Sequence, residues 1–388
     1  MTTPRAAIFV LFLSACGAQA GSRSQSCPPR AAVVAHASRQ PSGRTRNVIV
    51  VTIDGVRWQD VFGGIDVERA RVAGMPACAI SDGDLTPNLH RYFAAGGVVI
   101  GAPGYGEMVA SGPSFVSLPG YEEIFTGRTS TCTSNFCDHI SAATIVDELR
   151  AELRLGADRI AVVTSWETIA RAAAADERAL TISAGRHGGV TRDGVGVDRR
   201  AARVLAEAAA ADAYPGWFDY RPDRYTAPLA LEYLATERPR FLFVGLGDTD
   251  EYAHRHDYAG YAEALRAADA FVGKLMTTLA TLDGYGAETT VIVTTDHGRA
   301  AGFSGHGADA PESRRVWMFA AGGAVPALGF VDGSRVARLA DIAPTIRAWM
   351  GLAADTTAGA GVPLAELAPS PPTAGPLFAR RIEPPEPR

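Results

Sequence analysis

Lysine is almost absent from this chain: Lys274 is the single one in 388 residues, and the arginines that carry the rest of the positive charge are scattered without a basic run. With a formal net charge of −5, that scatter leaves no electrostatic footprint for nucleic acid. Aromatic residues make up only 8%. Past the first residues no apolar run is long enough to span a bilayer, and the one from Val316 to Val331 is broken by glycines and Pro326. Cysteine is rare too, five residues in all, and neither CxxC spacing nor histidine placement favours a zinc knuckle. What the chain does have is 47% hydrophobic against 20% charged residues. That is enough for a sizeable core in one large α/β domain or two.

The first residues, MTTPRAAIFVLFLSAC, place one arginine before an apolar run too short for a membrane helix, followed by small residues. This is the pattern of a secretory signal. Leu13-Ser14-Ala15-Cys16 resembles the bacterial lipobox, in which the cysteine is lipidated and becomes the mature N-terminus; cleavage of an ordinary signal after Ala18 or Ala20 is the other reading. Under the first, residues 1–16 are the signal, and acyl chains on Cys16 anchor the protein, each buried methylene contributing roughly 0.8 kcal/mol. Residues 17–45, rich in Ser, Arg, Gln and Pro, then form a flexible tether. The expected location is the bacterial envelope, on the periplasmic side or the cell surface. In an exported chain the remaining cysteines, Cys27, Cys78, Cys132 and Cys137, suggest disulfides, with Cys132 and Cys137 the closest pair. A Pro-rich tail over 356–388 is read as lying outside the catalytic domain, 46–355.

Thr289 to Gly307, TTVIVTTDHGRAAGFSGHG, opens as a strand buried on both faces and ends on Asp296 and His297, with His306 in a Gly- and Ser-rich loop beyond. A carboxylate and two imidazoles at a strand's carboxyl end are donors a divalent cation such as zinc accepts. The same grammar recurs. Val48 to Ile53 is an apolar run closed by Asp54-Gly55, and Phe241 to Gly245 runs into GDTDEYAHRHDYAGY, where Asp250 and His254 stand four apart and share one helix face. Asp248, His256 and Asp257 compete for that role. Thr86-Pro87-Asn88-Leu89 reads as a capped helix start. Ser117, before Pro119-Gly120, is either the cap of a helix carrying Glu122 and Glu123 or a hydroxyl activated at a helix N-terminus. Strands at Val98 to Ile100, Ile160 to Val163 and Val316 to Ala320, with helices near Ala142 to Leu153 and after Asp341, complete an alternation that predicts a mostly parallel sheet with helices on both faces. The less regular stretch 165–235 is expected to form a cap or insert.

In this order, IDG, TPNL, a serine before Pro-Gly, DxxxH, TDHG, a later His-Gly and DIAPT resemble the alkaline phosphatase superfamily of phosphatases, phosphodiesterases, sulfatases and phosphomutases, from about Asn47 to Gly351. The resemblance implies an alkaline-phosphatase-like fold and two divalent metal ions, zinc or manganese. One would be held by Asp250, His254 and His306, the other by Asp54, Asp296, His297 and the Ser117 oxygen. It also implies in-line attack by Ser117 on phosphorus and a phosphoseryl intermediate. Asn135 stands where diesterase-like members place an asparagine that donates to a non-bridging oxygen; a turn residue between Cys132 and Cys137 is the alternative. Arg128 and Arg299 are further phosphate-binding candidates, with surface positions as their default.

Departures from the family narrow the expectation. Ser117-Leu118-Pro119-Gly120-Tyr121 lacks the arginine of the sulfatase C/S-x-P-x-R signature, and Gly245 stands where a third metal would need an acid. Phosphomutase substrates are cytoplasmic, which disfavours that activity for an exported chain. The expected function is hydrolysis of phosphomonoesters or phosphodiesters, on a small-molecule or envelope substrate. The alternatives are a non-catalytic envelope lipoprotein of the same fold and a transferase of phospho-groups.

Overall fold

The computed structural model describes residues 43–81, 83–187, 199–333 and 335–368. The signal, Cys16, Cys27, most of the tether and the tail beyond 368 lie outside the described residues. In chain order the strands are β1 (Asn47–Ile53), β2 (Gly97–Ile100), β3 (Met108–Val109), β4 (Ile160–Thr164), β5 (Thr181–Ala184), β6 (Phe241–Leu246), β7 (Thr289–Thr294), β8 (Arg315–Val316), β9 (Met318–Gly322), β10 (Gly329–Phe330) and β11 (Ala337–Arg338). Eight of them form one sheet in the order β10-β2-β9-β7-β1-β6-β4-β5, and β11-β3-β8 form a small second one. Within the large sheet β9 alone runs against its neighbours.

The apolar run of β1 follows from its central place. Val48 and Val50 face one core with Leu118, Phe125, Leu149 and Ile346, while Ile49, Val51 and Ile53 face the other with Leu234, Leu265 and Val272. A strand covered on both faces has no polar side to show. Helices Ser117–Thr126, Ile145–Leu153 and Ile342–Met350 cover the first face; Asp223–Glu237 and Tyr258–Thr281 cover the second.

Several expected elements shift. Val316 to Ala320 is two strands: Val316 pairs with Met108 in the small sheet, and Met318 starts β9 in the large one. Trp317 stands at the break, its indole buried with Nε1 donating to the Val56 carbonyl (3.1 Å). Part of the stretch expected as a cap is sheet edge, since β5 pairs with β4. Thr86 stands at the start of the Pro87–Leu89 turn, yet its hydroxyl donates to the Val61 carbonyl. The capping is done by buried Asp269, which accepts from the amides of Asn88 (3.0 Å) and Leu89 (2.9 Å).

Candidate metal centre

All the expected ligands gather past the carboxyl ends of β1, β6 and β7, the three adjacent central strands, with Ser117 entering from the helix above. Past the end of β1, the amide of Asp54 still donates to Leu246 of β6 (2.9 Å), while Gly55 turns with φ +61. Its amide donates to Asp296 Oδ1 (3.1 Å), and Val56 N donates to Thr295 Oγ1 (3.1 Å), so the loops after β1 and β7 are tied together. Thr249 ties the third, donating to the Asp54 carbonyl (2.6 Å).

Each carboxylate is held by one oxygen and left open at the other. Asp54 Oδ2 accepts from the Tyr121 hydroxyl (2.8 Å) and Asp296 Oδ1 from Gly55, whereas Asp54 Oδ1 and Asp296 Oδ2 are buried without a partner. Both open oxygens face His297 Nε2, at 3.5 and 3.4 Å. The imidazoles are oriented by the same logic. His297 Nδ1 meets the Gly298 carbonyl (2.8 Å) and His306 Nδ1 the Phe115 carbonyl (2.9 Å). A carbonyl can only accept, so the proton is on Nδ1 and the Nε2 lone pair faces the cluster. Ser117 Oγ lies 3.2 Å from His297 Nε2. The helix begins at Ser117 with Val116 as its cap residue, so Ser117 occupies the first helical position and does not cap the helix.

The second group forms around Asp250. Its Oδ2 is 2.9 Å from His254 Nε2, its Oδ1 is 3.8 Å from His306 Nε2, and the two histidine Nε2 atoms are 3.0 Å apart. By donor proximity Asp250, His297 and His306 form one compact group and Asp54, Asp296 and His297 another, with His297 common to both. His254 adjoins the first group from its more exposed rim.

Electrostatics agree with a site shaped for cations. Burial, then Asp296 and Asp250, holds the Asp54 carboxyl well above its usual range; burial and Asp250 push Asp296 up to about 7. Burial lowers His297 to about 4 and His306, with His297 beside it, to about 3. Burial also opposes ionisation of Asp250, but Arg299, His254 and His306 overrule it and hold that carboxyl well below the usual range. Crowded carboxylates and imidazoles stripped of their protons are what positive charge between them relieves. The two orphaned buried oxygens and the hard and borderline donors therefore fit divalent metal ions.

The competing candidates do other work. Asp248 accepts from the Tyr220 hydroxyl and the Asp223 amide, Asp257 caps the helix Tyr258–Thr281, and His256 lines a surface cavity of about 440 Å³ with Asp66, Arg69 and Phe303. Arg299 is not at the surface. It is buried, bonded to Asp250 and to the carbonyls of Phe303 and Ser304. Arg128, half exposed, pairs with Asp355. Asn135 Oδ1 accepts from Leu118 N (2.9 Å), which brings it to the helix of Ser117, and Cys132 and Cys137 form a disulfide. Cys78 is disulfide-bonded as well. Sequence reasoning missed Tyr121, Thr249 and Glu251. Tyr121 carried a signal, four residues after Ser117 and so on its helix face. Glu251 is pushed up to about 9 by burial and Asp250, and one of its oxygens is buried without a partner.

The sequence pattern of the Metalloenzyme superfamily matches residues 224–354, which contain Asp250, His254, Asp296, His297 and His306. A stretch of 144 residues is 34% identical to a phosphopentomutase of Methylobacterium radiotolerans, covering 37% of this chain and only 32% of that protein. The fold is shared with the alkaline phosphatase PafA (TM-score 0.56, 11% identity, 84% of this chain and 99% of that one). It is shared also with a putative sulfatase from Bacteroides thetaiotaomicron (TM-score 0.53, 13% identity, 83% and 74%). Over residues 224–354 the chain is thus similar to the Metalloenzyme superfamily, and its fold is the one shared by that alkaline phosphatase and that sulfatase.

Proposed function

We propose that the protein hydrolyses phosphoric esters, monoesters or diesters, with Ser117 as nucleophile between two divalent cations, zinc or manganese. The observation that carries the reading is the pair of orphaned oxygens, Asp54 Oδ1 and Asp296 Oδ2, converging on His297 beside Ser117 Oγ. Asp250, His254 and His306 would hold one cation; Asp54, Asp296, His297 and Ser117 Oγ would hold the other. Bound there, such ions lower the pKa of a hydroxyl and neutralise charge on a leaving oxygen. The chain's residues supply the rest. Ser117 Oγ passes its proton to solvent and attacks phosphorus, the bond to the ester oxygen breaks in line, and the leaving oxygen takes a proton from water and departs as the alcohol. Water then attacks the phosphoseryl group, and the Ser117 Oγ–P bond breaks. Tyr121 keeps Asp54 turned into the cluster, and the Nδ1 contacts keep both imidazoles facing it.

Three other readings have less support. A sulfatase acting through formylglycine would need the arginine missing after Pro119. A non-catalytic binder has no need of a nucleophile aligned with two ligand sets. A transferase working on lipids is commonly membrane-spanning, and among the described residues no helix is long and apolar enough to cross a membrane. We further propose that the protein works in the bacterial envelope, anchored by lipid on Cys16; the N-terminal pattern and the Cys132–Cys137 disulfide support that location. The test is turnover of p-nitrophenyl phosphate against bis-p-nitrophenyl phosphate with zinc or manganese, alongside Ser117→Ala. Hydrolysis by the wild type that Ser117→Ala abolishes, with bound metal retained, is the expected result; equal turnover by both proteins overturns it.

A further inference from the structure

We infer that the Cys132–Cys137 disulfide is a working part of this site: it holds Asn135 so that the carboxamide closes the N-terminus of the Ser117 helix and presents an N–H donor to the bound phosphoryl group. The inference rests on the hydrolase reading and concerns how that site is held.

The first turn of the helix Ser117–Thr126 has no cap side chain to accept from its amides, and only two of its first three positions carry an N–H. Its cap residue is Val116, which has no side-chain oxygen, and the third position is Pro119, which has no N–H. Gly120 N reaches the Val116 carbonyl (3.2 Å). That leaves the amides of Ser117 and Leu118 to be satisfied from outside. Asn135 Oδ1 takes Leu118 (2.9 Å), acting as a cap supplied from another segment. Fixing the oxygen also fixes the other end of the carboxamide, whose Nδ2 has no protein partner among the described residues. The amide of Ser117 is likewise left without one. Two donors are thus free beside a nucleophile, which is what an incoming phosphoryl oxygen needs.

The loop that brings Asn135 there has no helix or strand of its own. The disulfide closes it with a sequence separation of five, and Asn135 lies inside the ring. Ser114 Oγ donates to the Thr133 carbonyl (2.8 Å), and the Cys132 amide donates to Ser130 Oγ (2.9 Å), which is bonded in turn to Glu122 of the nucleophile helix. A bridge over so short a loop removes little entropy from the unfolded chain, so its contribution to global stability is among the smallest a disulfide makes. Its effect is local: it removes the alternative conformations of the segment that carries Asn135. Cys132 and Cys137 are positioning residues acting through Asn135.

The test is a double-mutant cycle on the metal-loaded protein with bis-p-nitrophenyl phosphate and p-nitrophenyl phosphate as probes. Wild type, Cys132→Ser/Cys137→Ser, Asn135→Ala and the triple variant are compared. Asn135→Ala is expected to lower kcat on the order of 10²-fold, the usual effect of losing one such donor. The cysteine pair should lower kcat by 10-fold or more, with metal content unchanged. The triple variant should be no slower than Asn135→Ala alone. Losses that multiply in the triple variant, or a cysteine variant with wild-type kcat, overturn the inference while leaving the hydrolase reading intact. A wild type without turnover on either ester overturns both. Hydrogen exchange at the Leu118 amide gives a readout independent of turnover: it should quicken in the cysteine variant, and unchanged protection counts against the disulfide.

Discussion

Gly55 shows how closely the two ligand sets are packed. A Cβ there would lie 2.3 Å from Asp250 Oδ1 and 2.6 Å from Arg299 Nη1, and φ is +61. Gly55→Ala therefore combines a left-handed penalty of about 1–2 kcal/mol with a clash between the loop after β1 and the Asp250 helix. Reduced metal content and a lower melting temperature are expected, read by elemental analysis and calorimetry; full metal occupancy would show that the loops can separate freely. Asp54 and Gly55 were legible because a strand that must be apolar on both faces ends abruptly at an acid and a glycine. Arg299 was not. Nothing in its sequence neighbourhood distinguishes a surface arginine from one folded back onto Asp250, because that contact spans 49 residues of chain and depends on β6 and β7 flanking β1 in the sheet.

At the scale of elements, the helix Ser117–Thr126 is tied down from behind by Glu123. Its carboxylate accepts from Ser111 N and Ala340 N, both at 2.9 Å, and from Ser111 Oγ, joining this helix to the loop before it and to the turn leading into Ile342–Met350. Burial raises its pKa, and these donors work against that rise. Glu123→Ala leaves the buried donors unmatched, at about 1–3 kcal/mol each. Its denaturation midpoint should fall clearly, with Glu123→Gln recovering part of the loss; a midpoint equal to wild type would mean water replaces the carboxylate fully. The sequence predicted a helix bearing Glu122 and Glu123, since serine, Pro-Gly and the spacing that follows announce one. It could not tell that every residue of that helix is buried, because the covering comes from the sheet, from Asp296 and from the helix Ile342–Met350.

For the whole molecule, the site couples stability to cations and pH. In chelated protein, Asp54, Asp296 and Glu251 have raised folded pKa values, so they keep protons that the unfolded chain has already lost. Each such group makes stability fall as pH rises towards its folded pKa. His297 and His306 have lowered values and act oppositely, but only below the usual histidine value of 6.5. Asp296 has largely titrated by about pH 7, so between pH 7 and 9 the fall rests on Glu251, at about 9, with Asp54 raised in the same direction. The melting temperature of chelated protein should therefore fall across that window, Glu251→Gln should flatten the upper part of the fall, and added zinc or manganese should remove most of it. A chelated protein whose stability stays level from pH 7 to 9 would contradict the crowding of these carboxylates.

The sequence by itself determined the parallel α/β alternation, the order of the motifs and which strand ends carry donors, because backbone periodicity and strand-end chemistry are local properties. It also marked Cys132 and Cys137 as a pair, since five residues of separation bring them close whatever the fold does. Only the tertiary structure decided that Asp250 and His254, and not Asp248 or His256, face His306, and that His297 is common to both ligand groups. It alone decided that Tyr121 aims Asp54 into the cluster and that Asn135 closes the helix of Ser117. Those choices depend on which strands become neighbours, and neighbourhood in a sheet is set by how two apolar cores are filled on its opposite faces.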